Sequence, residues 1–466
     1  MSDARLTQTR YRGRRAVVLG LGQTGLSLAR HLARHGAEVR VADTRSEPPN
    51  RAALAAALPA VPLETGDFAD ATFDGADMIA ISPGVARRHP AIVAAVESGV
   101  EIVGDIELFA RALPPDRKVL AVTGTNGKST VTSLTGALTQ AGGLSTIVAG
   151  NIGHPVLDAL ASIESGAQWP DVFVLELSSY QLETTSSLRA IAATVLNVSA
   201  NHMDRYAGIA DYAGAKARIF LHANVQVINR DDPIVRLMRL PGRTVQTFGA
   251  SVPLSEEEWG LVERADGTWL ARGGELIMQA SRLALVGRHN VQNALAALAL
   301  ASSVAKLGRP MHDALAAFRG LPHRMAPIAE AGGVLYVDDS KGTTVAATQV
   351  ALDGIGRRVV LIAGGDGKGQ SFAPLRAVVD RTCRAVLLIG RDAPQIQRAL
   401  AGGAVRVEVP GTLALAVERA IDLACPGDAV LLSPACASLD QFRDYVERGR
   451  RFAELVNARL AADVDA

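Results

Sequence analysis

The segment Val119-Leu120-Ala121-Val122-Thr123-Gly124-Thr125-Asn126-Gly127-Lys128-Ser129-Thr130 constrains this chain more than any other. It reads as a buried strand running into a glycine-rich turn that opens a helix. A phosphate-binding loop needs these parts in this order. Glycine lets backbone N–H groups approach oxygen anions, and the helix aims its positive end at them. Lys128 can reach the terminal phosphates, and Ser129 can hold magnesium. The loop is two residues shorter than the standard G-x-x-x-x-G-K-[ST] pattern. An ordinary strand–turn–helix corner with a surface lysine is the bland alternative, and it leaves the coincidence of strand, glycines, Lys-Ser and helix unexplained. The segment points to a nucleoside triphosphate.

Strand–helix alternation surrounds it. A strand is expected over Ala16 to Leu19, a helix over about Thr24 to His35, and strands near Glu38 to Ala42, Met78 to Ile81 and Glu101 to Val103. This first unit ends near Glu107, and Pro114-Pro115 breaks the chain before the phosphate loop. Further strands are expected at Val172 to Glu176, Thr194 to Val198 and Val225 to Ile228, with a long Ala/Leu helix from Asn290 to Ala305. Shorter, turn-rich pieces between Gly249 and Arg288 suggest an antiparallel edge insertion. After Gly320-Leu321-Pro322 come strands near Val334 to Val337, Arg358 to Ala363, Ala385 to Ile389 and Ala429 to Leu432. The 466 residues thus divide into three mostly parallel α/β domains, residues 1–106, 107–320 and 321–466, with ligands at the carboxyl ends of strands.

Composition excludes several classes. A formal net charge of +1 gives no attraction to nucleic acid or an anionic membrane. Three cysteines, Cys383, Cys425 and Cys436, form no CxxC pair and suit a reducing compartment. The basic run Arg10 to Arg15 before Ala16-Val17-Val18-Leu19 resembles a signal peptide, but Gly20, Gly22 and Gly25 interrupt its apolar part. There is no apolar stretch of about eighteen residues. A soluble cytoplasmic protein is expected.

Gly20-Leu21-Gly22-Gln23-Thr24-Gly25 matches G-x-G-x-x-G, opens a helix, and precedes Asp43 at the end of the next strand. That pattern suggests a dinucleotide fold with Asp43 on a ribose hydroxyl. The same turn binds any pyrophosphate, since it offers N–H groups and a helix dipole rather than a nicotinamide pocket. Nucleotide binding, nicotinamide binding and a purely structural turn all remain open on this evidence. Ser82-Pro83-Gly84, after another strand, could touch the same ligand.

Several segments together resemble one family. Gly124 to Ser129 is similar to the short loop of Mur ligases and their folylpolyglutamate synthetase relatives. Glu176-Leu177-Ser178-Ser179-Tyr180-Gln181-Leu182, His202-Met203-Asp204-Arg205-Tyr206, Lys216, Gly287-Arg288-His289-Asn290 with Asn293, Leu321-Pro322-His323-Arg324, Asp339-Ser340-Lys341-Gly342-Thr343 and Ser433-Pro434-Ala435-Cys436-Ala437-Ser438 keep that family's order. The chain is accordingly identified as a member of the Mur ligases, with the D-glutamate-adding branch as the nearest.

The resemblance implies an ATP-dependent amide ligase with a Rossmann-like UDP-binding domain, a central P-loop ATPase-like domain and a C-terminal Rossmann-like domain. The implied substrates are UDP-N-acetylmuramoyl-L-alanine, D-glutamate and ATP, with two Mg2+ ions and Lys216 carbamylated by carbon dioxide; a monomer is expected. Lys128, Glu176, His202 and Lys216 match catalytic positions, and Ser129, Glu176, His202 and carbamylated Lys216 the metal-holding ones. Gly124, Asn126, Gly127, Lys128, Ser129, Thr130, Asn290, Asn293, Arg324 and Asp339 match ATP positions, Asn290 also reading as a helix cap. Gln23, Thr24, Asp43, Thr44, Arg45, Ser82, Gly84, Asn151 and Ser178 match the UDP-substrate side. Lys341, Thr343, Lys368, Ser438, Leu439 and Tyr445 match the D-glutamate pocket, whose two carboxylates call for cations and donors. The sequence departs from the family at Lys341-Gly342-Thr343-Thr344, where Lys-Ala-Thr-Asn is commoner, and at Tyr445, where phenylalanine often occurs. Neither departure removes a charge. A nicotinamide oxidoreductase would leave the second phosphate loop, Glu176 and Lys216 unexplained. An L-alanine-adding ligase or a folylpolyglutamate synthetase is disfavoured by the set Lys341, Lys368 and Ser438. A non-catalytic nucleotide-binding scaffold would have no use for Lys128, Glu176, His202 and Lys216.

Overall fold

The structure, a computed structural model, describes residues 10–203, 205–285 and 287–464. Asp204 lies outside the described residues. Three sheets organise the chain. The first has the spatial order Leu63–Thr65, Glu38–Asp43, Arg15–Leu19, Met78–Ile81, Glu101–Val103. All its pairings are parallel. The two central strands, Arg15–Leu19 and Met78–Ile81, are buried and apolar apart from Arg15, as strands covered on both faces are. The order reverses between Arg15–Leu19 and Met78–Ile81. The turns that follow those two strands therefore face one crevice. The helix Gln23–Arg34 starts at that crevice. It can do so because position 25 is glycine: a Cβ there would lie 1.7 Å from the Gly20 carbonyl oxygen.

The second sheet runs Glu275–Gln279, Gly267–Arg272, Glu258–Arg264, Thr244–Phe248, Val225–Asn229, Ala192–Val195, Lys118–Thr123, Val172–Glu176, Thr146–Gly150. The phosphate-loop strand Lys118–Thr123 thus lies between Ala192–Val195 and Val172–Glu176, parallel to both. Two expectations are corrected here. The strand placed at Thr194 to Val198 occupies Ala192–Val195, because Asn197 is drawn out of the ladder to bond the phosphate loop. The edge insertion also joins the sheet in parallel first, Thr247 opposite Glu258. Two-residue turns then connect its last three strands, a length that only antiparallel neighbours accept. The long helix is Arg288–Ser302, two residues earlier at its start than expected and three at its end.

The third sheet runs Ala326–Ala331, Val334–Asp338, Ala429–Leu432, Val359–Gly364, Cys383–Ile389, Arg406–Gly411. Its first pair is antiparallel and the others are parallel. The chain forms two compact units. One comprises Met1–Val262, Ala271–Ile277 and Leu295–Ala314, and the other Glu263–Leu270, Met278–Ala294 and Leu315–Ala466. A helix, Asp105–Ala112, runs across residue 106, where the first boundary was expected. Among the described residues no helix is long and apolar enough to cross a membrane.

Candidate active site

In the first unit the phosphate loop turns on Gly127, whose φ of +82° is left-handed and open to glycine without strain. The helix Lys128–Ala141 starts there, with Ser129 and Thr130 buried in its first turn. Asn197 clamps the loop. Its carbonyl oxygen Oδ1 accepts from Asn126 N (2.9 Å), its Nδ2 donates to Asn126 O (3.2 Å), and its backbone oxygen accepts from Thr125 N (2.9 Å). Lys128 Nζ curls back to donate to the carbonyls of Gly124 and Thr125, both at 2.9 Å.

Glu176 stands opposite Val122 at the end of the adjacent strand, beside this loop. It is buried, and its two oxygens differ. Oε1 accepts from Asn151 Nδ2 at 2.8 Å, whereas Oε2 has no hydrogen-bond partner. A buried carboxylate oxygen without a donor is costly unless a cation completes it. Lys216, on the helix Ile209–Ala217, reaches the same place from behind. It is 1% exposed and donates to the Gly124 carbonyl at 2.8 Å, the oxygen that Lys128 also holds. Burial, and then the Lys128 ammonium, push its pKa down to about 6, with Glu176 pulling the other way. The Tyr212 ring lies 4.5 Å from its Nζ. His202 packs its ring against Tyr180, 4.9 Å between centroids, and edge-on to Tyr212 at 6.2 Å. Its φ is +58°, an uncommon conformation for a residue with a side chain.

The crevice of the first sheet is a cavity of about 600 Å³. Gln23, Thr24, Asp43, Thr44, Arg45, Ser82, Gly84 and Asn151 line it, and Ser178 is not among its walls. The Ser178 hydroxyl instead caps the short helix Ser179–Leu182. Asp43 is fully engaged. Oδ1 accepts from the backbone N and Nε of Arg45, and Oδ2 from Leu21 N and Arg45 Nη2. Burial pushes its carboxyl up, but the Arg45 guanidinium and these N–H groups outweigh burial and hold it at about 2. A carboxylate offers about four acceptor sites, so none is left for a ribose hydroxyl. The nicotinamide-type role weighed for Asp43 is thereby corrected: it orients Arg45.

The second unit holds the remaining candidates. Asn290 lies inside the first turn of Arg288–Ser302 rather than at its cap, and accepts from Asn293 Nδ2 at 2.8 Å. Arg324 sits between His323 and Met325, with φ of +63° and +47°. Asp339 is buried, accepting from Ser433 Oγ (2.7 Å) and Met325 N (3.2 Å), and burial raises its carboxyl to about 7. Lys341 Nζ lies 5.1 Å from the Tyr445 ring. Thr343 N donates to Lys341 O at 2.9 Å. The Gly364-to-Lys368 loop pairs with the Ser433-to-Ser438 loop through Asp366 and Ala437. Ser438 is buried and Leu439 is 64% exposed. Thr344 caps the helix Val345–Gly354, a role asparagine also fills, so that departure is conservative.

All non-glycine residues with positive φ among the described residues are His202, His323, Met325, Lys368 and Ala435. Each belongs to, or borders, a segment that the sequence singled out, and strain of this kind gathers at functional sites. Three residues outside the expected set also belong here: Asn197, Tyr212 and Arg448. Arg448 is 1% exposed and donates to Ser340 Oγ, Ser340 O and Cys436 O. In the sequence it is one of four arginines within nine residues, with nothing to mark it.

Comparison with known proteins shows the family. The description "Mur ligase middle domain" matches residues 122–301, "Mur ligase MurD-like, N-terminal domain" residues 14–104, and "Mur ligase, glutamate ligase domain" residues 323–436. The chain is 53% identical over 465 residues to a UDP-N-acetylmuramoylalanine–D-glutamate ligase of Thiobacillus denitrificans, covering 97% of each chain. It is 51% identical over 453 residues to the enzyme of that name from Chromobacterium violaceum, covering 97% of this chain and 99% of the other. Among solved structures, UDP-N-acetylmuramate-alanine ligase from Thermotoga maritima has a TM-score of 0.57 at 20% identity, over 96% of this chain and 99% of that one. A pseudomurein peptide ligase type C from Methanothermus fervidus has 0.56 at 18%, over 96% and 100%. Those two likenesses concern the fold.

Proposed function

The chain belongs to the Mur ligase family, and on that premise we propose that it joins D-glutamate to UDP-N-acetylmuramoyl-L-alanine at the expense of ATP, in peptidoglycan precursor synthesis. One observation carries the reading. Asn151 lines the 600 Å³ crevice while its amide nitrogen holds Glu176 beside the phosphate loop. A single side chain therefore joins the crevice proposed for the UDP substrate to the loop proposed for ATP.

Amide formation from a carboxylate is uphill in water, so the carboxylate is activated first. A carboxylate oxygen of the alanyl group attacks the γ-phosphorus, ADP leaves, and an acyl phosphate remains. The D-glutamate amine then attacks the acyl carbon, and phosphate departs with the bridging oxygen as the tetrahedral intermediate collapses. Phosphoryl transfer of this kind is mostly positioning and charge neutralisation. Lys128 neutralises β and γ oxygens, and loop N–H groups from Gly124 to Thr130 cradle them, Asn126 among them. Ser129, Glu176, His202 and Lys216 as its carbamate would hold two magnesium ions; the partnerless, buried Glu176 Oε2 fits that use. Magnesium, when bound, supplies charge neutralisation at the phosphate oxygens. Lys216 suits carbamylation because its depressed pKa leaves a neutral amine. That amine attacks carbon dioxide, forms an N–C bond and releases a proton, placing an anion where the buried neutral amine stood.

In the same reading, Asn290 and Asn293 serve the adenine side, Asp339 the ribose and Arg324 the phosphates. Lys341, Thr343, Lys368, Ser438, Leu439 and Tyr445 bind D-glutamate. Gln23, Thr24, Thr44, Arg45, Ser82 and Gly84 bind the uridine end, Asp43 acting there through the Arg45 it orients, with Asn151 and Ser178 on the diphosphate or sugar side. The proposal includes a monomer acting in the cytoplasm, its labour divided among residues 1–106, 107–320 and 321–466. An oxygen-18 experiment tests the chemistry. With the label in the alanyl carboxylate, one labelled oxygen should appear in released phosphate, and unlabelled phosphate would refute the acyl phosphate.

A further inference from the structure

Away from the candidate active site, three potential ligands converge. His31 lies on the helix Gln23–Arg34 and His35 is its C-cap, four residues on and so on the same face. Glu164 ends the helix Val156–Glu164, which packs against that helix. The two imidazole centroids are 4.4 Å apart. His35 Nε2 is 2.9 Å from Glu164 Oε1, and one donor atom from each of the three residues lies within 4.8 Å of the others. His31 is 1% exposed and His35 3%. His31 Nδ1 is buried without a hydrogen-bond partner. Arg34 Nη1 binds the other carboxylate oxygen of Glu164 at 3.2 Å, which leaves Oε1 directed at the histidines.

We propose that His31, His35 and Glu164 form a binding site for a divalent transition metal of the zinc class, with a water molecule in the fourth position. Two imidazole nitrogens and one carboxylate oxygen are a donor set that zinc accepts. Ligands about 2.0–2.2 Å from a tetrahedral ion lie roughly 3.4 Å from one another. That spacing lies within the 4.8 Å that bounds the three donor atoms here and close to the 2.9 Å between His35 Nε2 and Glu164 Oε1. Arg34 then plays the supporting part usual for a ligating carboxylate, holding the oxygen that does not ligate. Magnesium, which prefers an all-oxygen shell, does not compete for two imidazoles. The metal replaces the proton between His35 and Glu164 and ties a helix of the first sheet to a helix that follows the second sheet's edge strand. Ser27 Oγ donates to Asp158 Oδ1 at 2.6 Å across the same pair of helices.

The test is calorimetric titration of the metal-stripped full chain with zinc chloride in excess magnesium, alongside His31→Ala and Glu164→Gln. One equivalent should bind and raise the thermal midpoint, and cobalt in its place should give the intense visible absorption of tetrahedral coordination. Each substitution should weaken zinc binding by more than the roughly 10–100-fold that loss of a supporting residue brings. Both variants should keep the parent's circular dichroism. Absence of zinc binding, or zinc binding undiminished in both folded variants, would overturn the proposal and leave a hydrogen-bonded cluster only. Glu164→Gln keeps the side chain's size, so the test survives a failure of His31→Ala to fold.

Discussion

A lysine ammonium at 1% exposure beside a second lysine is a poor place for a positive charge, and Lys216 yields by losing its proton. The consequence can be read in stability. Between about pH 6 and the ordinary lysine value of 10.5, the unfolded chain binds a proton that the folded chain lacks, so this residue's contribution rises with pH. In carbon-dioxide-free buffer, urea unfolding should find Lys216→Met more stable than the parent by the largest margin at and below pH 6, with the gap closing towards pH 10.5. A constant gap would contradict the buried neutral amine. Asp339 has the opposite sign. Burial raises its carboxyl to about 7, so its contribution is complete below the usual carboxylate range and is lost as pH rises through 7. Asp339→Asn should remove that decline. For activity, Lys216→Ala should be inactive and partly rescued by a small carboxylate such as formate; full activity without the additive would refute the carbamate. Asn197→Ala loosens the phosphate loop and should raise the KM for ATP about tenfold, the equivalent of roughly 1.4 kcal/mol in lost hydrogen bonds. An unchanged KM would assign the clamp to folding alone. The loop residues were legible because a phosphate site is contiguous in sequence. Asn197, Tyr212 and Arg448 were not, because their roles come from contacts between distant segments that no local pattern records.

Elements show the same division. Buried inner strands such as Met78–Ile81, Val172–Glu176 and Ala429–Leu432 are continuous apolar runs and stand where the sequence suggests. Leu63–Thr65, Thr146–Gly150, Thr244–Phe248, Ala326–Ala331 and Arg406–Gly411 went unanticipated, and all but Thr244–Phe248, which lies inside the second sheet, are at sheet edges. Edge strands are covered less, so their composition is mixed and the signal fades. Position still matters at an edge. Gly150 ends such a strand with φ of +104°, and a Cβ on it would lie 2.3 Å from the Glu176 carbonyl oxygen. Gly150→Ala should cost about 1–3 kcal/mol of stability from strain and overpacking. It should also lower kcat, because Glu176 and Asn151 would be displaced together. Denaturant unfolding and turnover, measured side by side, check both.

On the scale of the whole chain, the decisive ambiguity was between two glycine loops. The first, Gly20 to Gly25, taken alone suggests a nicotinamide enzyme. The structure removes the residue that reading needs, since Asp43 has spent its acceptors on Arg45 and Leu21. The second loop brings Lys128, Glu176 and Lys216 together, and Asn151 links that group to the first loop's crevice. Matches along all three sheets place the chain among the Mur ligases. The central claim is a ligase that takes D-glutamate. It is tested most directly by phosphate release from ATP and magnesium with UDP-N-acetylmuramoyl-L-alanine, to which D-glutamate, L-glutamate, L-alanine or nothing is added. Release that depends on D-glutamate alone is the predicted result. Release with another amino acid, or in none of the four tubes, would contradict it.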